Sequence, residues 1–326
     1  MPSPLPTRRA ALAALACVAF ASPAFAQQPA YPNHTIRIVV PFPAGGSTDP
    51  LARLIAQKMT EDFGQPAIVD NRPGGNTIIG TDAVAKAPAD GHTLLYTAST
   101  HIINPLLMAS LPYDSVRDFQ PVAHIVRSEF VLVVNPEVPA RDLQEFIALA
   151  KAKPGTINYA TSGNGNPNHL AGEYFGMIAG VKLNNVPYKG GGPAITDLLG
   201  GQVQAMFSVP TAVAGHIKTG KLRALAYTGS KPLPGLNVPT FAQAGLPAFD
   251  INSWNGIFVA AGTPKPIVEK LSAEIAKILA MPDVKEKFAA QGQEPHYLDA
   301  DRFGAMLEAD RRKYAGIVKA AHIRLE

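Results

Sequence analysis

The sequence predicts an α/β protein built from two doubly wound lobes that two crossing strands join. Three observations carry this. Apolar runs of strand length alternate with amphipathic stretches of helix length, the pattern of parallel sheets covered by helices on both faces. Polar glycine-containing loops follow strands at residues 41–50 and again at 162–168, about one domain apart. Two apolar runs, at 130–134 and 253–260, fall where a chain would leave a first lobe and return to it. The 326 residues divide accordingly into a signal peptide at 1–26, the first part of lobe 1 at 33–126, lobe 2 at 127–250, and the return strand and C-terminal helices of lobe 1 at 251–326.

At the N-terminus, Arg8 and Arg9 precede a small apolar run from Ala10 to Phe20, and Ala24-Phe25-Ala26 supplies the small-x-small pattern for cleavage before Gln27. This is the pattern of a bacterial export signal, and it directs the chain to the periplasm. Both the ordinary secretory route and the twin-arginine route fit it. Cys17, the single cysteine, leaves with the signal, so the mature chain is expected to hold no disulfide and no thiol chemistry. Cleavage also removes two of the 29 basic residues and none of the 25 acidic ones, which leaves 27 against 25. So balanced a charge gives no steering toward nucleic acid or a membrane surface. No later stretch reaches the roughly 18 apolar residues that a membrane span needs.

Ile36, Ile38, Val39 and Val40 form a β-branched run that reads as a buried strand. Pro41-Phe42-Pro43-Ala44-Gly45-Gly46-Ser47-Thr48-Asp49-Pro50 then leads into a helix marked by Leu51, Leu54, Ile55, Met59 and Phe63 and stopped by Gly64. Pro50 suits the first helical position, with Thr48 or Asp49 as N-cap. Gly45 and Gly46 allow several N–H groups to turn toward one point ahead of the positive helix end, a site for an anion. A strand near 67–69, a helix near 79–86 and a strand at 93–96 continue the alternation. Phe130-Val131-Leu132-Val133-Val134 is the first crossing, and a helix at 143–152 follows it.

The strand holding Ile157, Tyr159 and Ala160 ends in Ser162-Gly163-Asn164-Gly165-Asn166-Pro167-Asn168, ahead of a helix with Leu170, Ala171, Tyr174 and Ile178. Another strand, glycine loop and helix runs from Val186 through Gly190-Gly191-Gly192 to Leu199, and strands at 203–207 and 222–227 complete the lobe. Ser253–Ala260 is the return strand. Pro264 opens a helix carrying Ile267, Leu271, Ile275 and Ile278, and Phe303, Met306, Leu307 and Tyr314 mark the last one.

Ligands of open α/β sheets bind outside the carboxyl ends of strands, so the two polar loops are expected to face each other across an interlobe cleft. Ser47, Thr48, Thr161, Ser162 and Asn164 are the candidate side-chain donors beside the backbone, each with local capping as its other reading. Asp49 either caps the helix or meets an ammonium or hydroxyl group of the ligand. Ser99 and Ser208 stand at strand ends, where each either lines the cleft or caps the next helix. His169 is placed to touch the ligand or to lie on the surface, Trp254 reads as hinge packing, and Lys189 as a solvated lysine.

These motifs identify the chain as similar to the Bug-type solute receptors of tripartite tricarboxylate transporters, which look like type II periplasmic binding proteins. The matching pieces include residues 41–49 with Ala52-Arg53, Asn71-Arg72-Pro73-Gly74, Ala89-Asp90-Gly91-His92-Thr93-Leu94-Leu95, Leu111-Pro112-Tyr113-Asp114, 159–170, 186–197, Leu222-Arg223-Ala224-Leu225-Ala226 and Val238-Pro239-Thr240. The resemblance implies capture of a small organic carboxylate between a first loop from Phe42 through Ala44, Gly45 and Gly46 to Asp49 and a second from Thr161 through Gly163 to Asn168. Gly191, Ser99, Ser208 and His169 then stand nearby. It also implies that the closed receptor docks on membrane permease subunits. The receptor is expected to be a monomer, with no cofactor and no metal. His92, where the family more usually has tyrosine, and Gly75-Asn76, in a commonly more glycine-rich run, depart from the pattern away from both loops.

A periplasmic sensor feeding a signalling partner is the alternative on the same fold, and an exported hydrolase a weaker one. The eight histidines show no HExxH or paired metal-ligand spacing, and no G-x-S-x-G elbow occurs, so the residues give no positive sign of an enzyme.

Overall fold

The computed structural model describes residues 31–45, 48–233, 235–290 and 293–323. The signal peptide with its cleavage site, Gly46 and Ser47 lie outside the described residues. The chain divides after Asn33, and everything from His34 onward forms one compact unit. In chain order its elements are β1 (Ile36–Val40), α1 (Asp49–Phe63), β2 (Ala67–Asn71), α2 (Ile78–Ala85), β3 (Thr93–Ala98), α3 (Thr100–Leu107), β4 (Phe119–Ser128), β5 (Val131–Val134), α4 (Leu143–Ala152), β6 (Asn158–Thr161) and α5 (Pro167–Ala179). There follow β7 (Asn184–Pro187), α6 (Gly191–Leu199), β8 (Ala205–Ser208), α7 (Pro210–Lys218), β9 (Arg223–Tyr227), β10 (Ser253–Ala260), α8 (Lys265–Ala280), α9 (Pro282–Ala290), β11 (Glu294–Leu298) and α10 (Ala300–Ala320). Among the described residues no helix is long and apolar enough to cross a membrane.

Two sheets result, a six-stranded one in the order β11-β4-β10-β3-β1-β2 and a five-stranded one in the order β7-β6-β8-β5-β9. The sequence suggests mostly parallel sheets, and the structure corrects this to mixed ones. β10 runs antiparallel to β3 and β4, β11 antiparallel to β4, and β5 antiparallel to β8 and β9. Connectivity explains the reversal. The chain leaves the six-stranded sheet at the carboxyl end of β4 and comes back at that same edge, so the returning β10 has to run the other way. In the five-stranded sheet β5 likewise starts from the crossing, against the direction of its neighbours.

β4 has no counterpart in the sequence reading, because Pro121 and His124 interrupt its apolar pattern and proline argues against a central strand. The structure accommodates them with two register shifts against β10, one between Asn255 and Gly256 and one between Ile257 and Phe258, the second opposite Pro121. α3 carries Pro105 inside it, which hides it in the same way.

All four residues of β5 are buried, with Leu132 and Val134 in one apolar cluster and Val131 and Val133 in another on the opposite face. The first cluster is continuous across both sheets. It runs from Val39, Leu95 and Ile103 through Phe130, Ile251, Trp254 and Tyr314 to Phe146, Phe175 and Phe207. Trp254 is fully buried, 5.3 Å from the ring of Phe303 in an edge-to-face contact, so its role is packing at the return strand. α10 fastens the same place from outside the sheet: Tyr314 Oη donates to the Asn252 carbonyl at 2.8 Å and Lys313 Nζ to that of Asp250 at 3.0 Å.

The approach of α10 to β10 leaves no room at Gly256. A Cβ there would lie 2.3 Å from Phe303 Cζ and 3.2 Å from the Ala123 carbonyl oxygen. Gly256→Ala should therefore lower the unfolding free energy by about 1–3 kcal/mol, the usual range for overpacking, read as an earlier denaturant midpoint at unchanged m-value. An unchanged midpoint would mean that Phe303 withdraws at no cost.

Candidate functional site

The register of the two sheets determines which loops share a region. In the six-stranded sheet, Ala98 at the carboxyl end of β3 lies opposite Asn255 near the start of β10, and Asn255 in turn lies opposite Val126 near the end of β4. The ends of β1 and β3 are therefore on the edge from which β4 departs. In the five-stranded sheet, Val131 at the start of β5 lies opposite Ser208 at the end of β8, and β6 runs parallel beside β8. The carboxyl ends of β1, β3, β6 and β8 all turn toward the crossing, which brings the loop after β1 and the loop after β6 to the same side of both sheets.

In the first loop, Phe42 is half-buried and Ala44 and Gly45 are exposed, whereas Thr48 and Asp49 are buried. α1 starts at Asp49 and Pro50 takes its second position, so Thr48 is the N-cap, with φ −84° and ψ −30° and no side-chain capping bond. Asp49 thus occupies the first turn instead of the cap, and its carboxylate closes the loop. Oδ2 accepts from the Gly45 N–H and from Arg53 Nε, each at 3.0 Å, and Oδ1 accepts from Asn71 Nδ2 at 2.9 Å. Burial pushes this carboxyl up, but the bonds from Arg53, Gly45 and Asn71 outweigh it and hold Asp49 below the usual carboxylate range. Asn71 also donates to the Phe42 carbonyl at 3.3 Å, and Arg53 reaches Asn71 Oδ1 at 3.0 Å. The Gly45 N–H, which the sequence suggests turns toward an anion, here turns toward Asp49.

The second loop is held by its own side chains. Thr161, fully buried, donates through Oγ1 to Asn185 Oδ1 at 2.9 Å, and Asn185 Nδ2 donates to Asn164 Oδ1 at 2.9 Å. Asn168 accepts from the Ser162 N–H at 3.4 Å and donates to Ser162 Oγ at 3.2 Å. Gly163 has φ +131°, and a Cβ there would come 3.0 Å from Asn166 Nδ2. His169, inside α5, accepts the Gly165 N–H on Nδ1 at 3.0 Å, so its ring is a prop for the turn. Its burial draws the imidazole down to about 4, consistent with a neutral acceptor.

Gly191 belongs to this group, since a Cβ on it would stand 3.7 Å from Ser162 Oγ, and Ser208 ends the neighbouring strand. Ser99 is placed differently. It is fully buried at the junction, with its hydroxyl 2.9 Å from Ser253 Oγ and its N–H on the Trp254 carbonyl at 3.1 Å. Lys189 is exposed.

A cavity of about 740 Å³ is lined among others by Arg127, Glu129, Val209, Tyr227, Lys231 and His296. None of the sequence-derived candidates lines it. Its central charges are committed to one another: Arg127 pairs with Glu129 and, at 3.4 Å, with Asp250, and Thr228 Oγ1 donates to Glu129 at 2.7 Å. The Arg127-Ser128-Glu129 triplet at the lobe boundary was the available sequence signal for it. Among the described residues, metal-ligating side chains gather only at His34, Asp90 and His92, at the opposite edge of the six-stranded sheet.

Residues 51–323 match the family model described as the tripartite tricarboxylate transporter family receptor. Protein BugT of Bordetella pertussis is 39% identical over 299 residues, 91% of this chain and 92% of that protein. Among solved structures, Rpa4515 of R. palustris with adipate is 34% identical with a TM-score of 0.79, covering 90% of this chain and 99% of that one. MatC of Rhodopseudomonas palustris with bound malate is 30% identical with a TM-score of 0.73, covering 88% and 100%.

His101 and His124 are buried as well, and burial holds each at about 4 like His169. A histidine whose folded pKa lies below its unfolded value of 6.5 is protonated first in the unfolded chain. Its stabilisation is complete above pH 6.5 and is lost as the pH falls toward 4. The melting temperature should drop across this window, and His169→Asn, whose Oδ1 stands where Nδ1 accepts from Gly165, should flatten the drop by about one proton's worth of linkage. Equal slopes for parent and variant would show that folding ignores protonation at His169.

Proposed function

The chain belongs to the tripartite tricarboxylate transporter receptor family, and from that membership we propose that it is a periplasmic receptor which binds a small organic carboxylate without turning it over. The monomer closes two lobes, centred on the two sheets, around the ligand and presents it to a membrane permease. The observation that carries this reading is the convergence of the β1 and β6 loops on one side of the crossing. The two solved relatives with adipate and malate support the ligand class, since both molecules are dicarboxylates.

In this reading the site works with neutral donors. Arg53 is tied to Asp49 and Asn71, and Arg72 Nε donates to Asp70 at 2.8 Å, so neither guanidinium is committed to a ligand. Hydrogen bonds to a charged group contribute about 1.5–3 kcal/mol each, and micromolar binding needs about 8 kcal/mol. Four or five donors suffice after ordering costs. We assign them to backbone N–H groups from Gly46 to Thr48 and from Gly163 to Asn164, with the hydroxyls of Ser47, Thr48 and Ser162. Phe42 and Ala44 supply apolar walls, Gly191 leaves room beside Ser162, and Ser208 faces the distal end of the ligand. Asp49, Thr161, Asn168 and His169 hold the loops, and Ser99 acts at the hinge.

A thermal-shift screen of carboxylates tests the ligand class, because a ligand at 100 times its dissociation constant adds about 2.7 kcal/mol to stability. Dicarboxylates should raise the melting temperature, Gly163→Val should abolish the rise, and Lys189→Ala should reduce it only modestly. Sugars or phosphonates stabilising the protein while every carboxylate stays silent would overturn the assignment. The hinge is tested separately: small-angle scattering should show a smaller radius of gyration with saturating ligand, bending at 128–131 and 250–253, and an unchanged radius would count against closure.

A further inference from the structure

The edge of the six-stranded sheet away from the ligand loops gathers side chains that carboxylate capture does not use. β1 and β3 are parallel neighbours with Arg37 opposite Thr93, and the Arg37 N–H donates to the His92 carbonyl at 2.7 Å. This register brings His34, two residues before β1, alongside His92, which directly precedes β3. Their imidazoles stack with centroids 3.6 Å apart and planes 14° from parallel. Asp90, in the turn before β3, accepts the His92 N–H on Oδ1 at 2.9 Å, and that oxygen lies 3.4 Å from His92 Nδ1. One ligand atom from each of the three residues falls within 4.8 Å of the others.

We propose that His34, Asp90 and His92 form a binding site for a divalent transition metal of the Zn²⁺ type. Two imidazole nitrogens and a carboxylate oxygen are a donor set that suits zinc, and three protein ligands leave the fourth position to water. Bond lengths of about 2.0–2.1 Å place tetrahedral ligands roughly 3.3 Å apart, so no pair has to close by more than about 1.5 Å on binding. The parts are arranged for this. His92 is buried and Asp90 is fixed by its own turn, whereas His34 is exposed, so the adjustment falls to its side chain. No helix end or ligand loop takes part, so the metal acts as a clip across the starts of β1 and β3.

The test is calorimetric titration of tag-free mature protein with ZnCl₂, together with cobalt absorption in the visible range as a coordination signature. The parent should take up one equivalent. His34→Gln, an exposed change that spares the fold, and Asp90→Asn should each weaken uptake at least tenfold, and His92→Phe, which keeps a stacked ring without its nitrogens, should abolish it. Stabilisation by carboxylates should be the same in all three variants as in the parent, so failure of the metal site and failure of the ligand assignment are distinguishable. Absence of stoichiometric uptake by the parent, or His34→Gln binding zinc as tightly as the parent does, would overturn the proposal.

Discussion

The antiparallel pairing of β4 with β10 is the constraint on which the rest of this structure depends. β4 carries the chain out of the six-stranded sheet and β10 brings it back, and the two lie side by side from Ser253 opposite Ser128 to Ala260 opposite Phe119. Because they leave and return at one edge, the carboxyl ends of the parallel strands on both sides face the linkers. Loop placement follows from that without any further interaction. Trp254, Phe303 and Tyr314 fill the space behind the pair, which explains why α10, remote in sequence, packs against the return strand.

The two candidate loops share a logic in which side chains serve shape. Asp49 looks like an anion-repelling residue at an anion site, yet its charge is absorbed by Arg53 and by the amide donors of Gly45 and Asn71. In the second loop Asn185 and His169 do the equivalent work with neutral groups. Holding a loop in this way fixes the direction of its backbone dipoles before a ligand arrives, and preorganised dipoles lose less on binding than flexible charged side chains do.

Much of the fold was legible in the sequence, and what was not has identifiable causes. The β-branched run of β1, the helix closed by Gly64 and the return strand Ser253–Ala260 stand in the structure where the pattern places them. β4 was hidden by Pro121, and α3 by Pro105, since each proline is tolerated only through bulges or packing that tertiary structure supplies. Strand direction was illegible because periodicity carries no sign, and the reversal of β5 and β10 is a property of connectivity. At the candidate site, the loops could be read from glycine and hydroxyl content. That Asp49 is held by Arg53 and Asn71, or that Ser99 is sealed against Ser253, depends on which strands are neighbours.

The continuity of the apolar cluster through the junction has a consequence for how the chain behaves as a thermodynamic object. Phe130, Ile251 and Trp254 belong to the same packed body as Val39 on one side and Phe207 on the other. Melting one sheet while the other stays intact would expose this seam, and that shared cost couples the two sheets in unfolding. A molecule seated against either sheet then protects all of it, and occupancy at one place is registered as resistance to unfolding, proteolysis and amide exchange throughout.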